Sequence, residues 1–269
     1  MAAITSRTTS VPEATARFLR ELDELLGQPL ATDSRFVDLL MAVPDPHGAA
    51  LGLLRVVEAA GEGSAALLDA VRSGNKSDLA EDELNRPLLA RLLAVVGTSE
   101  AMVDHMVRHP DSLPLLLAPD PYLLISTPAA SAVSLRAEML TAIGANPDDP
   151  APRATVTGDE GVKALRRNYR DAVLRLVADD LSAETPDEIV DHVMAVLSDL
   201  AAAALDAALA IARAELDEAA GIRLAVIALG KTGARELNYV SDVDVVFVLD
   251  SAESEEDRHL ATELAQRMR

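Results

Sequence analysis

Apolar residues recur at spacings of three and four through most of the chain, as in helices with one buried face, until Gly221, where the pattern tightens into short apolar runs. The stretch S-V-P-E, Ser10 to Glu13, reads as a capping box ahead of an amphipathic helix carrying Phe18, Leu19, Leu22, Leu25 and Leu26 and stopping at Gly27. Further helical patterns cover Phe36 to Ala42, Gly48 to Ala60 and Pro87 to Val96, with Gly97 as a stop and Thr98 or Ser99 as the next cap. A helix from Glu100 to His109 ends at Pro110, and Thr127-Pro128 opens another that fades near Gly144. The density of Pro, Asp and Gly from Gly144 to Gly158 predicts a mobile loop. Glu160 to Leu181 is a charged amphipathic helix, and Thr185-Pro186-Asp187-Glu188 sets an N-cap, a Pro at the first helical position and an acid three residues after the cap. The stripe Ile189, Val193, Leu197, Leu200, Leu205, Leu209, Ala212 and Leu216 predicts one helix of roughly 50 Å lasting until Gly221. Ile222 to Leu229 and Val243 to Leu249 then read as two largely buried strands. The expected organisation is a helical region over 1–219 and the beginning of an α/β unit over 220–269, with no internal repeat.

Composition narrows the function classes. Aromatic residues make up 2% of the chain and Trp is absent, so the core must be aliphatic, which favours helix-on-helix packing. A formal net charge of -20 disfavours a nonspecific nucleic-acid surface or an anionic membrane surface; the expected partners include neither nucleic acid nor membrane. The absence of cysteine excludes disulfides, thiolate nucleophiles and Cys-ligated zinc. The first residues lack the apolar core of a signal peptide and no apolar run reaches the length that spans a bilayer, so a cytoplasmic location is expected.

The most informative run is L-G-K-T-G-A-R-E-L-N-Y-V-S-D-V-D-V-V-F-V-L, Leu229 to Leu249. Gly230-Lys231-Thr232 matches the end of a phosphate-binding G-x-x-x-x-G-K-[ST] loop, but the first Gly of that pattern falls on Ala225, and residues 225 to 229 are apolar and strand-like. A nucleotidyltransferase core fits better: a strand ending in Gly, a turn gripping a triphosphate, and a second strand carrying an acidic pair. Alternation on an extended chain sets Asp242 and Asp244 on one face and Val243 toward the core. Two carboxylates on one edge suit a hard cation, and displacement at phosphorus is served by two divalent ions about 4 Å apart. A bare D-x-D is as well explained by solvation of a strand's first residues; the whole run is far more specific.

G-K-T-G-A-R-E-L-N-Y-V-S-D-V-D-V-V-F-V closely resembles the G-x-G-K-x-G-x-x-E-L-x-x-x-S-D-x-D signature of the glutamine synthetase adenylyltransferase/adenylyl-removase family, departing at Ala228, where that family often has its first Gly. Leu89 to Leu113 and Leu165 to Leu181 resemble the same family's helical segments. The resemblance implies a mainly α fold with a small α/β part, an N-terminal helical region followed by a truncated nucleotidyltransferase (polymerase-beta-like) core. It implies a multifunctional, metal-dependent enzyme of nitrogen metabolism that acts on glutamine synthetase under a nitrogen-signal (PII-type) protein. A signature this far from the initiating Met resembles the first of the family's two catalytic domains, which removes AMP from a tyrosine by phosphorolysis with ADP as product; the second adds AMP from ATP. Asp242 and Asp244 would be the catalytic, metal-holding pair for Mg²⁺ or Mn²⁺. Gly230, Lys231 and Gly233 would line the phosphate turn, Ser241 would hydrogen-bond a phosphate oxygen, and Arg235 and Glu236 would brace the turn as an ion pair. The family's later V-D-x-x-L-R-P segment, with a third carboxylate, is absent, so the expectation is an N-terminal fragment with little or no activity alone.

Other polar clusters have plainer readings. His105 and His109 stand four apart without the Glu or third His of a zinc helix and are expected on the surface at a helix C-terminus. Glu253, Glu255, Glu256 and Asp257 are expected in a solvated loop, and Arg166, Arg167, Arg170 and Arg175 either on a charged helix face or against a phosphate or a partner. Two other functions share the pattern: a uridylyltransferase acting on the nitrogen-signal protein, and a non-catalytic helical docking or regulatory module. Metal binding lost in Asp242→Asn separates an enzyme from the module.

Overall fold

The structure, a computed structural model, describes residues 11–27, 29–61, 88–117, 128–250 and 254–268. The chain forms two compact units, one of residues 1–119 with 177–184, the other of residues 120–176 with 185–269.

The described part of the first unit is helical: α1 (Glu13–Leu26), α2 (Ser34–Ala42), α3 (Pro46–Ala60), α4 (Leu88–Val96), α5 (Glu100–Arg108) and a 3-10 segment, Pro110–Leu117. Its core is mostly aliphatic: Leu19, Leu22, Leu40, Leu53, Leu92, Leu93 and Met106 are buried, as is Phe36. Local chemistry sets the ends. Gly27 closes α1 at φ 58°, a left-handed value that glycine adopts without penalty. Asp45 caps α3 through the Gly48 N–H, and Ser99 caps α5 through the Met102 N–H. The expected cap at Ser10, and Pro87 and Thr127, lie outside the described residues. His105 corrects the surface reading: only 1% of it is exposed, because its side of α5 packs inward, and its ring lies 5.1 Å from that of His109.

The second unit is built around a long helix. It contains α6 (Pro128–Ala142), most of α7 (Gly158–Asp180), α8 (Pro186–Glu215), a 3-10 turn at Asp217–Ala219, β1 (Leu224–Ala228), α9 (Gly230–Ala234), β2 (Val245–Leu249) and α10 (Glu255–Arg267). Leu135, Met139 and Leu140 of α6 share a core with Leu197, Leu200, Ala201, Ala203, Ala207 and Ala210 of α8. The alanines let the two backbones approach closely. α8 spans 30 residues, about 45 Å, and not the longer run expected: Leu216 and Ala219 continue the apolar stripe, but Leu216 is already the helix's C-cap and Ala219 lies on a 3-10 turn. Thr185 stands at its N-cap with Pro186 following, and the Thr185 hydroxyl donates to the Glu188 carboxylate at 3.0 Å instead of accepting from the backbone. α8 is also long and apolar enough to cross a bilayer by length and composition, against the expectation from uninterrupted run length. Asp199 and Asp206 interrupt the run without making the whole stretch polar, and most of it is buried as a core helix.

The loop over 144–157 is pinned. Ala154 N–H donates to Ala210 O at 3.0 Å, Thr155 and Val156 N–H both donate to Ile143 O at 3.1 Å, and Arg136 reaches Pro147 O at 2.6 Å. Its Pro and Asp content reflects turn chemistry, with Asn146 and Asp149 accepting from N–H groups two residues on.

β1 and β2 pair antiparallel, Leu224 opposite Leu249 and Ala228 opposite Val245. Leu224, Phe247 and Leu249 face a cluster formed by Leu209, Ala212, Leu216, Ala261 and Leu264. The other face, with Ile227 at 48%, Val246 at 44% and Val248 at 40% exposure, is open. The strands are therefore buried on one side only, which an unbroken apolar run does not disclose. Glu255 and Asp257 lie in the first turn of α10, where Ser254 and Asp257 form a reciprocal capping box, and not in a loop; acids at a helix N-terminus complement its dipole. Glu253 lies outside the described residues.

Within the first unit Arg91 and Asp179 form an ion pair with exposures of 3% and 8%. Removing one partner strands a buried charge. Asp179→Ala is expected to lower stability by about 3 to 5 kcal/mol, and Arg91→Met combined with Asp179→Leu by less, as read by urea denaturation.

Candidate nucleotide and metal site

The ladder ends at Ala228 and Val245, after which Leu229 N–H donates to Asp244 O at 2.8 Å and the chain turns into α9. This places Asp242 and Asp244 just ahead of β2 and not within it, because beyond Leu229 no β1 backbone remains to pair with them. Both carboxylates are exposed. Val243 is 40% exposed and lines a groove with Leu165, Tyr169 and Leu205, so it faces helices without being sealed by them. Burial raises the Tyr169 phenol above its ordinary pKa.

Two glycines make the turn possible. At Gly233 a Cβ would lie 2.5 Å from the Ala228 carbonyl oxygen, so no other residue fits without moving backbone. Gly230 has φ 53°, and a Cβ there would lie 3.3 Å from Asp244 Oδ2, so the Asp244 carboxylate rests against the glycine at the start of the turn. Lys231 Nζ donates to Ser241 Oγ at 3.4 Å, and Ser241 Oγ donates to Asn238 Oδ1 at 2.6 Å. One cation and one hydroxyl thus converge beside the acidic pair. Thr232 is buried, and its hydroxyl has no hydrogen-bond partner among the described residues.

Arg235 does not pair with Glu236. It adopts φ 62° as the C-cap of α9, which directs its guanidinium to Asp199 of α8 at 2.6 Å, while Glu236 is exposed and contributes its N–H to Lys231 O at 2.8 Å. Leu237, 3% exposed, donates its N–H to Ser198 Oγ at 3.2 Å. Ser198 and Asp199 therefore hold the turn from behind. Sequence reading passed over them, although two adjacent polar residues inside an apolar helical stripe were the available signal. Asp199 is raised above the ordinary carboxylate pKa by burial, opposed by the positive charges of Arg235 and His192. Of the other arginines, Arg167 pairs with Asp171 at 3.9 Å and Arg175 with Glu138 at 2.8 Å, whereas Arg166 and Arg170 border the groove beside Tyr169.

Among the described residues no group of three His, Cys, Asp or Glu side chains is placed to hold a metal ion. Mg²⁺ commonly takes one or two protein carboxylates and completes its shell with phosphate oxygens and water. The donor set of Asp242 and Asp244 fits a divalent cation brought in with a phosphate.

Gly233→Ala is expected to cost about 1 to 3 kcal/mol through the clash with Ala228, as measured by chemical denaturation. Asp199 binds a proton more tightly when folded, so its contribution to stability is fully present below the ordinary carboxylate pKa and is lost as pH rises through the raised value. The stability of the wild type relative to Asp199→Asn should therefore fall as pH increases across that window in paired thermal melts; a flat or rising difference would contradict the assignment.

Residues 89–269 match the family described as glutamate-ammonia ligase adenylyltransferase. The chain is 33% identical over 237 residues to the bifunctional glutamine synthetase adenylyltransferase/adenylyl-removing enzyme of Bifidobacterium longum strain DJO10A, covering 88% of this chain and 21% of that protein. It is 37% identical over 263 residues to the enzyme of that name from Streptomyces avermitilis, covering 96% of this chain and 22% of the relative, and 40% identical over 233 residues to that of Mycobacterium avium, covering 82% and 20%. The chain thus spans about a fifth of the length of the curated relatives it matches. The chain belongs to the glutamate-ammonia ligase adenylyltransferase family, and the matched residues include the turn on which Asp244 rests against Gly230.

Proposed function

We propose that this chain supplies the helical region and the first strands of a nucleotidyltransferase that removes AMP from an adenylylated tyrosine of glutamine synthetase by phosphorolysis. The observation that carries the reading is the juxtaposition of Asp244 with Gly230, with Lys231 and Ser241 hydrogen-bonded to each other across the same turn. In the reaction an oxygen of inorganic phosphate attacks the AMP phosphorus, the bond from phosphorus to the tyrosine oxygen breaks, and the phenolate that leaves takes up a proton. The products are ADP and the free tyrosine. Asp242 and Asp244 would hold Mg²⁺ or Mn²⁺, which when bound neutralises charge on the phosphate oxygens. Lys231 supplies a further positive charge, and Ser241 orients a phosphate oxygen through its hydroxyl. Gly230 and Gly233 keep the backbone close enough for this contact, and Arg235, held by Asp199, fixes the end of the turn.

The acidic pair alone is a partial metal site. In this reading a third carboxylate from a neighbouring strand would complete it, and this chain alone would have little or no activity. The reading places the enzyme in the cytoplasm beside glutamine synthetase, with a PII-type signal protein as its regulator.

The test is the intact mass of adenylylated glutamine synthetase after incubation with Mg²⁺ and phosphate, comparing this chain with a version extended through the next carboxylate-bearing segment. Loss of AMP with ADP appearing only in the extended sample is expected, slowed at least about a hundredfold by Asp242→Asn. No loss in either sample would overturn removal from this acceptor. Transfer of UMP to the signal protein, or binding of glutamine synthetase without any transfer, would then identify the alternatives.

A further inference from the structure

At the far end of the strand pair from the acidic residues, the second unit contains a cavity of about 780 Å³ bordered by Arg153, Arg213, Arg223 and Asp250, with Ala225 and Val248 among its apolar walls. Ala225 and Val248 are opposite each other in the ladder, one step in from the Leu224 and Leu249 end, whereas the turn leaves from Ala228 and Val245. Four residues of strand, roughly 13 Å, separate the two ends.

Three guanidiniums at one cavity are unexpected in a chain of net charge -20. Two of them hold loosely kept partners. Arg153 pairs with Asp217, whose side chain is 89% exposed, and Arg223 pairs with Asp250 at 3.1 Å with both side chains more than half exposed. Such solvated pairs contribute little and exchange readily. Arg213 differs. It is half-buried and makes no hydrogen bond or ion pair among the described residues. Burial lowers its pKa, Asp206 and Asp149 act in the opposite sense, and Arg153 adds to the lowering. Both of those carboxylates have other donors: Asp206 accepts from Arg136 at 2.6 Å, and Asp149 from the Ala151 N–H at 2.8 Å. A guanidinium cannot shed its proton near neutral pH, so this is a lasting, partly desolvated positive charge facing a cavity of ligand size.

We propose that this cavity binds a small oxyanion with two or more charged oxygens, a phosphate- or carboxylate-bearing ligand, with Arg213 as its inner contact and Arg153 and Arg223 turning to it from their exposed aspartates. Planar guanidinium forks match both kinds of oxyanion, and the apolar walls leave room for a nonpolar body. The site is separate from the acidic pair and does not depend on the reaction proposed for it.

The 269-residue chain is titrated calorimetrically with sodium pyrophosphate and, separately, with sodium succinate in metal-free buffer of constant ionic strength. Saturable binding of at least one is expected, weakened tenfold or more by Arg213→Met, by less in Arg213→Lys, and unchanged in Asp242→Asn/Asp244→Asn. Binding of pyrophosphate alone assigns a phosphate-bearing ligand, binding of succinate alone a carboxylate, and binding of both the shared oxyanion chemistry. Arg213→Met removes a desolvated charge, so its melting temperature without ligand should equal or exceed that of the wild type. Arg223→Met, at the exposed rim, carries the same test without disturbing the interior and should weaken binding threefold or more. Absence of saturable binding in the wild type, wild-type affinity in both methionine variants, or loss in the aspartate variant alone would each overturn the proposal.

Discussion

The turn between the two strands exists because a backbone carbonyl and an α-carbon come closer than any side chain allows. Gly233 lies against the oxygen of Ala228, and this contact seats α9 directly on the end of β1. From that seat the remaining geometry follows. The Leu229 N–H closes the ladder on Asp244, Gly230 takes a left-handed backbone, and the Asp244 carboxylate comes to rest on it. A wider turn would leave the Asp244 carboxylate without a surface to lie on.

The close approach alone would not keep the turn in place, since a two-stranded ribbon is marginal in water. The rest of the restraint comes from α8. Ser198 accepts from the Leu237 N–H and donates to Met194 O at 2.9 Å, so a buried hydroxyl is satisfied in both senses. Asp199, largely buried in α8, is met there by the Arg235 guanidinium at 2.6 Å. The same helix packs its alanines against α6 and its last turn beneath the sheet, so the core and the back of the site share one rigid element.

Most of the helical architecture was legible because glycine and proline punctuate it: α1 stops at Gly27, α3 stops before Gly61 and α8 opens at Pro186, although α3 starts at Pro46, two residues ahead of the expected Gly48. The two strands were legible from the change in periodicity at Gly221. What periodicity does not report is the number of layers that cover an element. Ile227, Val246 and Val248 look like core residues in the sequence and face outward in the structure, while His105 looks like a surface residue and is buried. Nor does composition report tethering: the loop over 144–157 has the residues of a free loop and the hydrogen bonds of a fixed one. The partner of Arg235 was misread for a related reason. Adjacent residues of opposite charge suggested a local pair, but the left-handed backbone at Arg235 turned its side chain toward a residue 36 positions away.

The hydrogen bonds and the ion pair that shape the turn are all made between residues 198 and 268. The small core beneath the sheet likewise draws on a contiguous stretch, from Leu209 to Met268. In kinetic terms this is a region of low contact order, in which partners meet after closing short loops. The hydrogen bonds of the turn can therefore form within its own neighbourhood as the chain emerges, with Leu237 then joining the core that α8 shares with α6.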